Sequence, residues 1–163
     1  MKTLYLVRHA KAGWHDPAMA DFDRMLTKHG HKQAEEMSRR LHKKKVMPEL
    51  LISSPASRAI ETTELFADTL GIERDQIMQK IEIYEGQVGA LAAIVQELPD
   101  EYKTAMLFGH NPTISGFASW ITDKSVEAMK TCGVSKIDLD VAHWKEVAVG
   151  SGTLDWYEFP EKL

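Results

Sequence analysis

The sequence predicts an α/β fold with a mostly parallel central sheet and antiparallel strands toward its C-terminal end. Short apolar runs at 3–7, 50–53 and 105–109 each end in turn or helix-start residues, which is typical of buried parallel strands. Apolar residues at helical spacing fill the intervals between these runs. Residues 135–141 and 152–159 instead alternate with a period of two, which is typical of half-exposed antiparallel strands. Together these patterns predict a three-layer α/β/α sandwich.

The individual elements follow from local signals in chain order. Thr27 suits the N-cap of the first helix because its hydroxyl can accept a hydrogen bond from a free backbone N–H. Ser54 and Pro55 suit the cap and first turn of the second helix, and Gly71 suits its C-terminal end. We predict strands at 4–7, 50–53, 77–84, 105–109, 135–141 and 152–159, and helices at 27–45, 55–71, 88–98 and 112–122.

Length and composition bound what the chain can do. Its 163 residues fit one domain, 1–163, and 44% hydrophobic with 27% charged residues is ordinary for a globular protein. A net charge of −4 gives no broad attraction to nucleic acid or anionic lipid. Cys132 is the only cysteine, and no stretch has the length of a signal segment or membrane span. We therefore expect a cytoplasmic monomer that binds neither nucleic acid nor membrane.

Four polar side chains follow the predicted strands where each strand ends. Arg8 and His9 come at the end of the first strand, Arg58 shortly after the second, and His110 directly after the run that ends at Gly109. Ligands of open α/β sheets bind outside the carboxyl ends of the strands. The sequence therefore predicts that these four side chains surround one crevice.

This residue set suits phosphoryl transfer. The neutral imidazole of His9 is a competent nucleophile toward phosphorus when the other ring nitrogen holds the proton and a carbonyl or carboxylate fixes that tautomer. Arg8 adds permanent positive charge, and Arg58, about one turn into the second helix, can hold two phosphate oxygens at once. His110 can donate to a third oxygen. Each such donor can contribute ~3 to 4 kcal/mol to transition-state stabilisation.

Three segments of the chain resemble the motifs of the histidine phosphatase superfamily, the phosphoglycerate mutase-like group. Residues 6–10 resemble its N-terminal Arg-His-Gly signature, with Ala10 in place of the usual glycine. Residues 53–62 resemble the segment that carries the second arginine, and residues 109–112 the one that carries the second histidine. The order and separations match over nearly the whole chain, so the resemblance implies a phosphoglycerate mutase-like fold.

Within that superfamily the chain is most similar to the small SixA-type phosphohistidine phosphatases. Its length, Lys11, the Asp23-Arg24 pair and Tyr84 resemble features of that branch, although Met25 stands where proline is common. The resemblance implies a catalytic site without metal or other cofactor. In it, His9 is transiently phosphorylated, and the phosphoryl group is bound by Arg8, Arg58 and His110.

The proton donor is left open by the sequence. In many superfamily members a glutamate follows the third strand, and Glu85 occupies a comparable position; the alternatives are Asp16, Asp21 and Asp23. We favour Glu85. The choice bears on substrate, because an alkoxide leaving group needs a well-placed acid whereas a protonated phosphoimidazole departs with little help.

Access to the site also bears on substrate. The interval from Arg58 to His110 is filled by predicted elements, which leaves little chain for a lid over the site. An open site suits phosphohistidine on a protein, although a small phosphorylated substrate could also enter. Two alternatives remain: a small-molecule phosphomonoesterase of the same superfamily, and a phosphohistidine-binding module without turnover, which Ala10 and the open question of the proton donor motivate.

The sequence lacks the motifs of other phosphate-handling enzymes. Cys132 is followed six positions later by Asp138 rather than by an arginine, so the cysteine-phosphatase loop is absent. Neither Gly-x-x-x-x-Gly-Lys nor Gly-x-Gly-x-x-Gly occurs, which excludes the common nucleotide-binding loops.

Overall fold

A mixed six-stranded sheet forms the centre of the protein, whose computed structural model describes residues 1–161. The strands lie in the order β3-β2-β4-β1-β5-β6. The first four of these are parallel, β5 is antiparallel to β1, and β6 is antiparallel to β5. This confirms the predicted mostly parallel sheet with antiparallel C-terminal strands. The strands are β1 (Lys2–Arg8), β2 (Leu50–Ser53), β3 (Met78–Gln79), β4 (Thr104–Gly109), β5 (Val134–Leu139) and β6 (Gly152–Glu158).

Helices cover both faces of the sheet. They are α1 (Lys28–Lys43), α2 (Ser57–Leu70), α3 (Ile81–Glu85), α4 (Val88–Gln96) and α5 (Thr113–Thr122). Val7 of β1 belongs to the core shared with α1 and α2, whereas its neighbour Leu6 belongs to the core shared with α4 and α5. Successive strand residues point to opposite faces, so the alternation in β1 produces the predicted three layers. Within the described residues, no helix has the length and apolarity needed to cross a membrane.

The helix starts show which capping signals act locally. The Thr27 hydroxyl accepts a hydrogen bond from the Gly30 N–H at 3.0 Å, as predicted for the start of α1. The predicted start of α2 at Pro55 is wrong, because the helix begins at Ser57. The Ser54 hydroxyl accepts from the Ala56 N–H at 3.2 Å, which holds the chain in a bend before the helix. Consequently Arg58 lies in the first turn of α2 rather than one turn into it.

The predicted strand at 77–84 is also wrong. Only β3 (Met78–Gln79) pairs with β2, and α3 (Ile81–Glu85) follows it. A short apolar run fits either a strand or a helical turn, and here the helical turn buries Ile83 in the core, at 2% exposure. The turn also brings the Tyr84 ring against His110, with ring centroids 5.6 Å apart.

Strand register brings the predicted site residues to one edge. Arg8, at the end of β1, pairs with Gly109, at the end of β4, and Ser53, at the end of β2, pairs with Phe108. The three carboxyl ends therefore finish level with one another, and the residues that follow them share one edge of the sheet.

Candidate active site

The structure brings the four predicted side chains together at this edge. The rings of His9 and His110 lie with their centroids 5.2 Å apart and their planes tilted by 55°. The positive charges of Arg8 and Arg58 both lower the pKa of each histidine. The four residues are therefore close enough to interact electrostatically, and we call them the floor of the site.

His9 is held in a single tautomer by the backbone. Its Nδ1 lies 2.7 Å from the carbonyl oxygen of Ala10, and a carbonyl can only accept, so Nδ1 carries the proton and Nε2 keeps its lone pair. Burial lowers the pKa of His9 to about 4; the hydrogen bond to Ala10 opposes this shift, and the charges of Arg58, Arg8 and Arg24 add to it. The ring is consequently a neutral nucleophile at physiological pH.

Both arginines are anchored at their tips and free at Nε. Arg58 donates from Nη1 to the main-chain oxygen of Asp21 at 2.7 Å and from Nη2 to Asp21 Oδ2 at 3.0 Å. Arg8 donates from Nη1 to the main-chain oxygen of Met129 at 3.0 Å. Among residues 1–161, the buried Nε groups of both arginines have no hydrogen-bond partner. Such donors are costly to leave unsatisfied, and an oxyanion would satisfy them.

His110 is anchored through the opposite ring nitrogen. Its Nε2 lies 2.8 Å from the hydroxyl oxygen of Ser54, whereas its buried Nδ1 has no partner in the described part of the chain. The pKa of His110 is lowered to about 3, mainly by burial; the neighbouring His9, Arg58 and Arg8 also lower it, and the charge of Asp21 opposes the shift. The floor thus combines a second neutral imidazole with the two guanidinium groups.

Asp21 is the acidic residue that the structure brings into contact with the floor. Besides the bonds from Arg58, its carboxylate accepts from the Tyr84 hydroxyl at 2.8 Å and from Arg24 at 3.1 Å. Partial desolvation raises the pKa of Asp21, but hydrogen bonds from Tyr84, Arg24 and Arg58 outweigh it and lower the pKa to about 2. Asp21 is therefore a permanent anion at neutral pH and a poor proton donor.

The other candidate acids lie apart from the floor. Glu85 ends α3 with an exposed side chain, and within residues 1–161 no hydrogen bond or ion pair joins it to another residue. Asp16 accepts a local bond from the Ala18 N–H at 2.9 Å. Asp23 is exposed, and in the described residues its carboxylate makes no hydrogen bond or ion pair. The structure therefore connects one of the four candidate acids, Asp21, to the floor.

Several residues that support the floor were not singled out from the sequence. The Thr62 hydroxyl accepts from the Ala10 N–H at 3.0 Å and donates to the Arg58 carbonyl at 2.7 Å, which ties the end of β1 to the first turn of α2. The carbonyl of Met129 binds Arg8, and Ser54 binds His110. The sequence predicts Ser54 as a helix cap, but it does not predict the contact with His110, which lies 56 positions away in the chain.

The fold and a floor of two histidines and two arginines are suited to binding a phosphoryl group. In agreement, residues 4–104 match the histidine phosphatase superfamily (branch 1), and the chain belongs to that superfamily.

Similar structures and a sequence relative place the chain within one branch of the superfamily. A SixA structure from Agrobacterium tumefaciens is 26% identical and covers 98% of this chain and 99% of its own, with a TM-score of 0.82. The protein histidine phosphatase SixA complexed with tungstate is 25% identical over 96% of each chain, with a TM-score of 0.83. A chloroplastic protein of Arabidopsis thaliana is 28% identical over 95% of this chain and 74% of its own. The chain is of the SixA-type branch.

Proposed function

We propose that the protein is a phosphohistidine phosphatase that works through a covalent phosphohistidine intermediate on His9, within one catalytic domain. The observation that carries the proposal is the His9 ring, whose Nδ1–H is held by the Ala10 carbonyl while Nε2 keeps its lone pair. Unpartnered, buried nitrogen atoms of Arg8, Arg58 and His110 accompany it. This arrangement offers a nucleophile together with donors for the oxygens of a phosphoryl group.

The reaction is a double displacement. His9 Nε2 attacks phosphorus in line, so that a P–N bond forms as the bond to the leaving group breaks. Arg8, Arg58 and His110 stabilise the negative charge spread over the three equatorial oxygens. Water then attacks the phosphorus on His9, the P–N bond breaks, the water proton is released, and inorganic phosphate leaves the regenerated neutral imidazole. In this scheme His9 is the first nucleophile, Arg8, Arg58 and His110 are the oxyanion donors, and water is the second nucleophile, whose proton passes to solvent.

The electrostatics of the acids support a phosphoramidate substrate. An alkoxide leaving group needs a proton from the enzyme, but Asp21, with its pKa lowered to about 2, cannot supply one at neutral pH. Glu85 is exposed and makes no bond to the floor. A phosphoimidazole that is already protonated leaves as neutral imidazole without this help. The site is therefore better matched to phosphohistidine than to a phosphoester.

The partner we propose is a protein that carries phosphohistidine. Asp21 lies beside Arg58 with 45% of its side chain exposed, so the floor is bordered by solvent on this side. The related SixA structure is complexed with tungstate, a tetrahedral oxyanion, which supports oxyanion binding by this chain.

Competition between substrate classes tests this proposal. We expect kcat/KM for a phosphohistidine peptide to exceed that for sugar phosphates by at least about 10²-fold. The reason is that Asp21, the acid in contact with the floor, is ionised and cannot protonate an alkoxide leaving group. Sugar phosphates turned over faster by orders of magnitude would instead identify a small-molecule phosphomonoesterase.

Trapping distinguishes an enzyme from a binding module. Rapid denaturation after mixing with ³²P-labelled substrate should leave acid-labile, base-stable label on His9, located by mass spectrometry. Binding of the labelled peptide with no label on the protein and no release of phosphate would identify a module that only reads phosphohistidine.

A further inference from the structure

Ser54 connects the end of β2 to the second histidine of the floor. The residue is fully buried, and its N–H donates to the carbonyl of Phe108 in β4 at 3.1 Å, two residues before His110. Its hydroxyl oxygen accepts from the Ala56 N–H at 3.2 Å and lies 2.8 Å from His110 Nε2. Two hydrogen bonds to the backbone, one from the Ser54 N–H and one accepted by its hydroxyl, thus fix the position of the serine.

The hydroxyl proton of Ser54 has one available acceptor. Within residues 1–161, the hydroxyl makes no hydrogen bond other than those to Ala56 and His110. Since the Ala56 N–H is a donor, the Ser54 proton can be satisfied only by a lone pair on His110 Nε2. A proton on Nε2 would leave two buried groups without partners, the Ser54 O–H and the Nδ1 lone pair, whereas a proton on Nδ1 leaves only the Nδ1–H, so the second form is favoured.

The other ring nitrogen then carries the proton of the neutral ring. His110 Nδ1 is buried without a partner, as are the Nε atoms of Arg8 and Arg58. A lone pair at Nδ1 would repel a phosphoryl oxygen, whereas an N–H would donate to it. The hydrogen bonding of Ser54 and the electrostatics of anion binding therefore favour the same tautomer.

We infer that Ser54 is a positioning residue: its hydroxyl donates to His110 Nε2 and thereby keeps the proton on Nδ1, where it is offered to the transferred phosphoryl group. The last clause rests on the proposed function. His9 and His110 are then both Nδ1–H tautomers with opposite roles, because the free nitrogen is a nucleophile in the first and a donor in the second.

Nitrogen NMR of the unliganded protein tests the tautomer directly. With ¹⁵N-labelled histidine near neutral pH, we expect His110, assigned by loss of its signals in His110→Asn, to show a protonated Nδ1 and an unprotonated Nε2. In Ser54→Ala, we expect a shift toward the Nε2–H form. Ser53→Ala is the matched control, since Ser53 is also fully buried and its hydroxyl binds the Ser54 carbonyl and Thr63 rather than His110.

Either of two results would overturn the inference: an Nε2–H tautomer in the wild-type protein, or a Ser54→Ala tautomer identical to that of the wild type. The wild-type spectrum decides even when Ser54→Ala does not fold. Because this readout needs no substrate, it is independent of whether phosphohistidine is hydrolysed.

Kinetics test the role of that tautomer. We expect Ser54→Ala to lower kcat by about 10-fold and to weaken inhibition by orthovanadate by a similar factor. The reason is that a fraction of the molecules would then carry the Nε2–H tautomer of His110, which lacks the Nδ1–H donor. Ser53→Ala should leave both values within about twofold. Unchanged vanadate inhibition in a folded Ser54→Ala protein would remove Ser54 from the positioning role.

Discussion

The floor of the site and the acidic rim beside it are built differently. Each floor residue is anchored by the backbone or by a buried hydroxyl: His9 by Ala10 and His110 by Ser54. The rim comprises the turn Asp21–Asp23 and α3 (Ile81–Glu85) and is largely exposed apart from Ile83; Asp21 binds Arg58 of the floor, and the Tyr84 ring packs against His110. The floor is therefore held by bonds to buried groups and to the backbone, whereas the rim contacts it from the solvent side.

The two regions also differ in charge. Burial and neighbouring arginines lower the pKa values of the floor histidines, so those rings stay neutral among permanently positive guanidinium groups. Hydrogen bonds from Tyr84, Arg24 and Arg58 overcome partial desolvation and keep Asp21 negative. The anionic oxygens of a phosphoryl transition state would thus meet positive charge at the floor, while a leaving group near the rim would meet a carboxylate that cannot protonate it.

The largest effect is expected from removing the nucleophile. His9→Ala should lower turnover by at least about 10³-fold, as loss of a covalent nucleophile does in other enzymes. The fold should survive, because the side-chain bond that is lost is the local one to Ala10. Turnover and circular dichroism are measured together, with His15→Ala as an exposed-histidine control. Residual activity near that of the control would place the nucleophile elsewhere.

A smaller loss is expected when the floor keeps its positive charge but loses one guanidinium group. Arg58→Lys retains one positive charge and loses the planar guanidinium that binds Asp21 through two nitrogens. We expect kcat to fall on the order of 10²-fold. Lys32→Arg on α1 is a control for the expression and folding of a basic substitution. A loss below threefold would show that charge alone suffices at this position.

Breaking the contact between rim and floor should cost less again. Asp21→Ala removes the anchor of Arg58 Nη2 but retains the guanidinium group and its bond to the main-chain oxygen of residue 21. We expect kcat to fall by about 10-fold, because the donor is less well positioned. Asp23→Ala, in the same turn and without a bond to Arg58, should stay within about twofold. In an Arg58→Lys background, Asp21→Ala should add little. Equal losses from the two aspartate variants would separate Asp21 from Arg58.

The floor could be predicted from the sequence and most of the rim could not, for a physical reason. Arg8, His9 and His110 lie directly after buried strands, and strand pairing dictates where such residues go. The resemblance favours Glu85 as a glutamate that follows the third strand, but residues 81–85 form a helix, since Ile83 is buried by a helical turn. The contact from Asp21 to Arg58 joins residues 37 positions apart through a loop, and no periodic pattern encodes it.

The two neutral histidines of the floor should also make stability depend on pH. The ordinary pKa of histidine is 6.5 and that of His9 is lowered to about 4, so between these values the unfolded chain binds protons that the folded chain excludes. The free energy of unfolding should therefore fall as pH is lowered through this range. We expect a loss of roughly 1 to 2 kcal/mol for each floor histidine between about pH 7 and about pH 5.

Urea unfolding at the two pH values measures this dependence. His110→Asn removes one of the two groups and should flatten the slope with pH, whatever its effect on stability at neutral pH. His15→Asn replaces an exposed histidine and is the control. The same slope in the wild type and in His110→Asn would show that His110 titrates alike in the folded and unfolded chains.

The smallest effect is expected at the exposed end of the rim. Glu85 makes no bond to the floor within residues 1–161, so Glu85→Gln should change phosphohistidine turnover by less than about twofold. As a proton donor, Glu85 would matter only for a leaving group that departs as an alkoxide, so any larger loss should be confined to a phosphoester substrate. Both substrates are assayed on the same preparation, with Glu82→Gln on the same helix as the control. A loss of similar size on both substrates would remove Glu85 from the acid role, because an acid is needed in one reaction and not in the other.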